Sequence, residues 1–257
     1  MLTMLQLTNV SRRFGGLQAL TEVNMSVPAG AVTGLIGPNG AGKTTLINNI
    51  SGLDHPTSGE ITFQDAPIHR AKPHEITRMG IARTYQNIRL FGEMTVRENL
   101  LIGQHGRGSA SVIGALWFSP GFREEEATFT SRADSLLARF NLSEAADTPA
   151  KNLSYGDQRR LEMARALATD PQLVLLDEPT AGMNPRETHE LGEQIIRLRE
   201  DGLTVLVIEH DMNLISQVCD TVYVLNFGQI IAHGETESVK RDPVVIEAYL
   251  GKEEAAS

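Results

Sequence analysis

The sequence predicts an α/β protein with a parallel sheet covered on both faces, an antiparallel β flank and an inserted helical subdomain. Three observations carry that prediction. The runs Val32 to Ile36, Leu173 to Leu176 and Thr204 to Ile208 are short, apolar and rich in Val, Ile and Leu, and helical patterns lie between them. Strands buried on both faces read this way. Leu5 to Val10, Val23 to Val27 and Gly59 to Phe63 are strand-like runs separated by turn residues, which suggests the antiparallel flank. From about Asn87 to Gly156 the strand signals vanish, and Leu136, Leu137 and Phe140 recur at helical spacing within a helix expected over Glu124 to Phe140.

Taken in order, the flank strands come first, then the buried strand Val32 to Ile36 and a helix from Lys43 to Ser51 that Gly52 can cap. The helical lobe follows. Ahead of Glu124 it carries a Gly- and Ser-rich stretch, Gly106 to Gly121, with Trp117 and Phe118, which either contact a partner or pack on the lobe. A helix over Arg159 to Thr169, with Leu161, Ala164, Leu167 and Ala168 on its apolar face, leads back into the sheet. Tyr223 to Leu225 and Ile230 to Ala232, around Gly228 and Gln229, read as a late hairpin. The expected division is therefore one domain, with residues 1–86 and 157–257 as α/β core and 87–156 as helical subdomain.

Composition narrows the function. A chain of 257 residues with 41% apolar content can bury a proper core. Its net charge of -9 opposes general binding to a phosphate backbone, so no nucleic-acid partner is expected. The lone Cys219 excludes an internal disulfide and fits a reducing compartment. Met1 to Phe14 does not read as a signal peptide, and the longest apolar candidate, Val112 to Phe118, is far shorter than a membrane span.

The chemistry is carried by two motifs. Gly37-Pro38-Asn39-Gly40-Ala41-Gly42-Lys43-Thr44, followed by Thr45, matches the P-loop pattern between a strand and a helix. Glycines let the backbone curl so that its N–H groups face phosphates, and the helix start adds partial positive charge. Lys43 is expected to reach the β- and γ-phosphates, and the Thr44 hydroxyl to ligate Mg²⁺. The second motif is the strand ending in Asp177 and Glu178. Asp177 suits the Mg²⁺ shell and Glu178 suits a base that polarises the attacking water. Alternation along a strand would send the two side chains in different directions. The plainer alternative is an acidic turn closing a strand before Pro179.

A third motif, Leu153-Ser154-Tyr155-Gly156-Asp157-Gln158, resembles the signature sequence of ABC transporter ATPases. That resemblance implies a P-loop NTPase (RecA-like) core and an ATP-sandwich dimer, in which Ser154 and Gly156 bind the γ-phosphate held by the opposite subunit. Tyr155 and Asp157 depart from the commonest wording. Ser154 and Asp157 also fit a capping box, so Ser154 caps its own helix, binds phosphate, or does both. The resemblance further makes Phe14 the aromatic residue that stacks on adenine, with a core Phe as the alternative. It makes Gln86 a sensor of Mg²⁺ and water, His210 a contact to the γ-phosphate, and Ala181-Gly182-Met183-Asn184-Pro185 a dimer-contact loop.

Five stretches are sharper than the general pattern: Arg83 to Phe91, Leu153 to Ala166, Ala181 to Pro185, Ile208 to Met212 and Val245 to Gly251. With the insertion around Gly106 to Glu126 they resemble the longer ATPase of branched-chain amino-acid importers. The partners so implied are a second ATPase subunit, identical or sister, two transmembrane permease subunits and, indirectly, an external substrate-binding protein. The implied location is the cytoplasmic face of the inner membrane. Residues Asn87 to Leu100 are expected to grip a cytoplasmic loop of the permease. The nearest rival is the ATPase of lipopolysaccharide export, which usually lacks the insertion. A non-transport ABC protein usually has tandem units or long coiled coils, and a P-loop GTPase would carry an Asn-Lys-x-Asp tetrad; neither feature is present.

Overall fold

A computed structural model describes residues 2–105 and 120–250. Chain contacts divide it into two units. One comprises the described residues up to Arg83 and from Gln172 onward; the other runs from Thr84 to Pro171.

In the first unit, β1 (Thr3–Phe14) pairs antiparallel with β2 (Leu17–Pro28) and with β4 (Ser58–Phe63), and the short β5 (Ala66–Pro67) continues that sheet. Both long strands exceed their apolar runs, because the ladder continues through Arg12, Arg13 and Phe14 to the turn at Gly15. The second sheet has the order β10-β9-β3-β8-β7-β6. Its parallel members are β6 (Ile81–Arg83), β7 (Leu173–Asp177), β8 (Thr204–Ile208), β3 (Val32–Ile36) and β9 (Thr221–Asn226). The hairpin partner β10 (Gln229–Gly234) runs antiparallel to β9. Every residue of β3, β7 and β8 is buried, as continuous apolar runs require. The strand β6 has no sequence signal of its own: three residues are too few to show a period.

Helix α1 (Lys43–Ile50) follows β3, and its Leu46, Ile47 and Ile50 join Leu5, Leu7, Leu35 and Phe63 in one apolar core. Helix α2 (Pro73–Met79) precedes β6. At Gly34, a Cβ would meet the Cys219 Sγ at 3.0 Å, so a side chain there would need its neighbours to shift by a few tenths of an ångström.

In the second unit, α3 (Val96–His105) packs against α4 (Pro120–Arg139) and α5 (Tyr155–Ala168). Leu100, Ala133, Leu137, Phe140, Leu161 and Ala164 are buried there. The helix expected over Arg159 to Thr169 starts at Tyr155, because Ser154 caps it. By its contacts this helix groups with the unit from Thr84 to Pro171. The physical reason is close packing: a Cβ on Gly103 of α3 would lie 2.9 Å from the Arg165 carbonyl of α5. Trp117, Phe118 and most of the Gly- and Ser-rich stretch lie outside the described residues.

After β7 come α6 (Pro185–Glu200), α7 (Met212–Val218), α8 (Thr236–Lys240) and α9 (Pro243–Leu250). Asn184 caps α6: its side chain accepts from the Arg186 and Glu187 N–H groups, each at 3.0 Å, while the Glu187 carboxylate accepts from the Asn184 N–H at 2.9 Å. Among the described residues no helix is long and apolar enough to cross a membrane.

Candidate functional site

The loop between β3 and α1 is built by backbone that only glycine tolerates. Gly37, Gly40 and Gly42 have φ values of 149°, 79° and 109°. A Cβ on Gly37 would sit 2.0 Å from the Leu225 carbonyl oxygen, and one on Gly42 would sit 2.8 Å from that of Ala19. Gly42 is the N-cap of α1 and brings no side chain to the first turn. The amide groups of that turn, with the helix dipole behind them, form an anion site. Lys43 is buried, and its ammonium donates to the carbonyls of Gly37 at 2.5 Å and Pro38 at 3.2 Å. A cleft of about 400 Å³ opens over this loop. It is lined by Asn39 to Thr45 on one side and by Phe14, Leu17, Glu178 and Phe227 elsewhere.

Phe14 is 45% exposed, which removes the alternative of a core phenylalanine. The Arg12 guanidinium lies 4.3 Å from its ring centroid and is itself held by Asp54 at 2.7 Å. Of the acidic pair, Glu178 lines the cleft and Asp177 does not. Strand alternation does not set the direction of Glu178: its φ is +46°, so the backbone has already left the extended form. The Asp177 carboxylate is buried and accepts from Arg83 Nη2 at 2.8 Å. Arg83 Nη1 reaches Asn48 at 2.8 Å and Ser51 at 2.9 Å, tying β6, β7 and α1 together beneath the loop. His210 is exposed, follows β8 and is not among the cleft-lining residues.

In the helical unit, the Ser154 hydroxyl accepts from the Asp157 N–H at 3.2 Å and donates to the Asp157 carboxylate at 2.7 Å. Gly156 is buried in the first turn of α5. Gln86 exposes its side chain, but its backbone is clamped from the same helix. Arg159 donates to the carbonyls of Tyr85, at 2.7 Å, and Gln86, and pairs with Glu162 at 3.1 Å. The Tyr85 N–H donates to Glu162 at 3.3 Å. Arg159 and Glu162 are 5% and 2% exposed, so both charges of the pair are buried. Burial raises the Glu162 carboxyl above its ordinary value, against the opposing pull of the Tyr85 N–H and Arg159.

Comparison with known proteins identifies this assembly. Residues 20–181 match the model of the ABC transporter family, and residues 229–255 match that of the branched-chain amino acid ATP-binding cassette transporter. The chain belongs to the ABC transporter family of ATP-binding proteins. It is 45% identical to the high-affinity branched-chain amino acid transport ATP-binding protein LivG of Escherichia coli K12, over 97% of this chain and 98% of that one. The crystal structure of the ADP conformation of MJ1267, an ATP-binding cassette of an ABC transporter, is similar at a TM-score of 0.86 and 38% identity, covering 98% of this chain and 100% of that one. The dimeric post-hydrolysis structure of the cassette MJ0796, bound to ADP and Pi, gives 0.75 and 28%, with coverages of 91% and 99%. The ABC cassette is thus a P-loop NTPase and an ATPase, as the sequence predicted.

Within that cassette, sequence reasoning passed over three anchors. Glu209, fully buried, accepts from the Thr180 N–H at 2.9 Å and hydroxyl at 2.5 Å, and from the His210 N–H at 2.8 Å. It fastens the turn after Glu178 to the turn carrying His210. A carboxylate ending an all-apolar strand was the available signal. Arg83 and the Arg159–Glu162 pair had none, since their partners are distant in sequence.

Proposed function

We propose that this cassette hydrolyses Mg-ATP at the P-loop cleft and powers uptake of branched-chain amino acids through an importer. The chemical part of the reading is supported by one arrangement: Lys43, Thr44, Glu178 and the exposed Phe14 line the same cleft at the first turn of α1. Phe14 and the aliphatic part of the cleft take the adenine, while Gly37 to Thr45 with Lys43 take the phosphates. Glu178 accepts a proton as water attacks the γ-phosphorus; the bond to the bridging oxygen breaks, and ADP and phosphate leave. The hydroxyl of Thr44 and the carboxylate of Asp177 are hard oxygen donors, which fits Mg²⁺ held by one or two protein oxygens and the phosphates. Bound there, the ion would neutralise charge on the phosphates. Gln86 and His210 complete the hydrolytic set.

The signature residues Ser154 and Gly156 serve the nucleotide of a second ATPase subunit, identical or sister. Capping by Ser154 does not compete with this, since a capped helix start still presents amide groups. The ATP-bound pair closes, hydrolysis reopens it, and two permease subunits convert the motion into alternating access fed by an external binding protein. The loop around the half-exposed Phe91, pinned by the buried Asn99 at 3.0 and 3.1 Å, is the surface for the permease. The subunit works at the cytoplasmic face of the inner membrane.

The cargo is supported by the 45% identity to LivG and by the family match over residues 229–255. The test is uptake of labelled leucine. Deleting this subunit abolishes high-affinity uptake, and restoring it rescues uptake only when Lys43 and Glu178 are intact. Unchanged leucine uptake with an outer-envelope defect would instead support lipid export.

A further inference from the structure

The turn joining β9 to β10 holds an exposed aromatic residue in left-handed backbone. Phe227 and Gly228 have φ values of 44° and 77°, both left-handed, as a two-residue hairpin of the mirror-image type demands. Asn-Gly is the favoured pair for such a turn; a bulky aromatic residue at the first position is an outlier. Packing does not account for the outlier, because Phe227 is 79% exposed.

The turn is locked in place. The Gly228 N–H donates to the Ala41 carbonyl of the P-loop at 2.8 Å, and the Gly228 carbonyl accepts from the Thr21 N–H at 2.8 Å. A Cβ on Gly228 would meet the Ala19 carbonyl oxygen at 2.5 Å. These contacts hold Phe227 at the wall of the P-loop cleft, which Phe14 and Leu17 also line. Arg12, anchored by Asp54, already covers one face of Phe14. An apolar ring kept in strained backbone at the mouth of an anion site suits a ligand that joins a flat aromatic group to phosphates.

We propose that Phe227 is a second base-contacting residue of the cleft, packing its ring against the purine of the bound nucleotide. The proposal rests on the reading of the cleft as the ATP site and adds a specificity element to it. Its position is set by the hairpin's bond to Ala41, so base contact and phosphate loop share one rigid support.

The test uses the purified full chain. Phe227→Asn supplies the residue this turn prefers, so its Tm is no lower than that of the wild type. Its Kd for Mg-ATP rises about five- to fiftyfold, within the range for losing base–aromatic stacking. Its affinity for inorganic tripolyphosphate, which has no base, is unchanged, and Phe227→Tyr restores ATP affinity. Wild-type ATP affinity in Phe227→Asn would overturn the proposal, with or without a loss of self-association. Equal weakening of ATP and tripolyphosphate would overturn it too, by assigning the residue to loop geometry. Lys43→Ala separates this from the underlying reading: if tripolyphosphate binding ignores that substitution, the phosphate assignment of the cleft fails, whatever Phe227 does.

Discussion

The two units hold their functional residues by different physics. In the P-loop unit, backbone conformation does the positioning: glycines at positive φ, a helix start and strand ends aim the loop, Lys43 and Glu178. In the helical unit, a buried ion pair does it: Arg159 and Glu162 clamp the main chain of Tyr85 and Gln86 to the signature helix. A backbone site is rigid by construction and is damaged at its chemistry or at the glycines that shape it. A clamp built on a buried ion pair fails when one partner is removed and the other is left uncompensated.

The largest effect should come from the chemistry of the backbone-built site. Glu178→Gln keeps Mg-ATP binding but loses about 10²–10⁴-fold in turnover, the usual worth of a positioned base. Lys43→Ala loses binding as well. Both are read from ATP titration and single-turnover hydrolysis. Wild-type hydrolysis in the Glu178 variant would remove that residue from the reaction and break the contrast on its stronger side.

The clamp gives the next effect, on stability. Arg159→Met leaves Glu162 buried without its cation and should cost about 3–5 kcal/mol in urea unfolding. Mg-ATP affinity, measured below the transition, should be unaltered, since the P-loop unit binds the nucleotide. Loss of affinity in proportion to stability would show that the two units do not hold their sites independently.

The smallest effect is a pH dependence of that clamp. The Glu162 carboxyl is raised above 4.5 by burial, so the native state holds its proton more tightly than the unfolded chain does. Stability from this group is therefore fully present below the ordinary value. It falls as pH rises towards the raised value and is flat beyond it. Glu162→Gln should remove that slope; an unchanged slope between acid and neutral pH would assign it to other groups.

The same contrast explains what could be read from the sequence. The three apolar strands, the P-loop and the acidic pair are local patterns, and β3 and β8 fall where their runs predicted. Glycine spacing announced the loop because the φ values it needs are glycine's alone. What escaped was long-range. Arg83 meets Asp177 only because β6 lies beside β7, and Glu209 reaches Thr180 only because β7 lies beside β8. Helical spacing does not reveal that Arg159 and Glu162 meet the Tyr85 main chain. Glu178 was expected to follow strand alternation and instead turns on a left-handed backbone. Phe227 carried no signal in the sequence, since only the folded hairpin sets its left-handed backbone and brings it to the cleft.

The proposed function has the P-loop unit hold one nucleotide and the signature helix of the helical unit serve the nucleotide of another subunit. Sedimentation velocity of Glu178→Gln, with and without saturating Mg-ATP, tests it most directly. Without nucleotide the variant should sediment as single chains, and with Mg-ATP as pairs, either of this chain alone or with the sister ATPase added. Single chains at saturating ATP in both settings would contradict it.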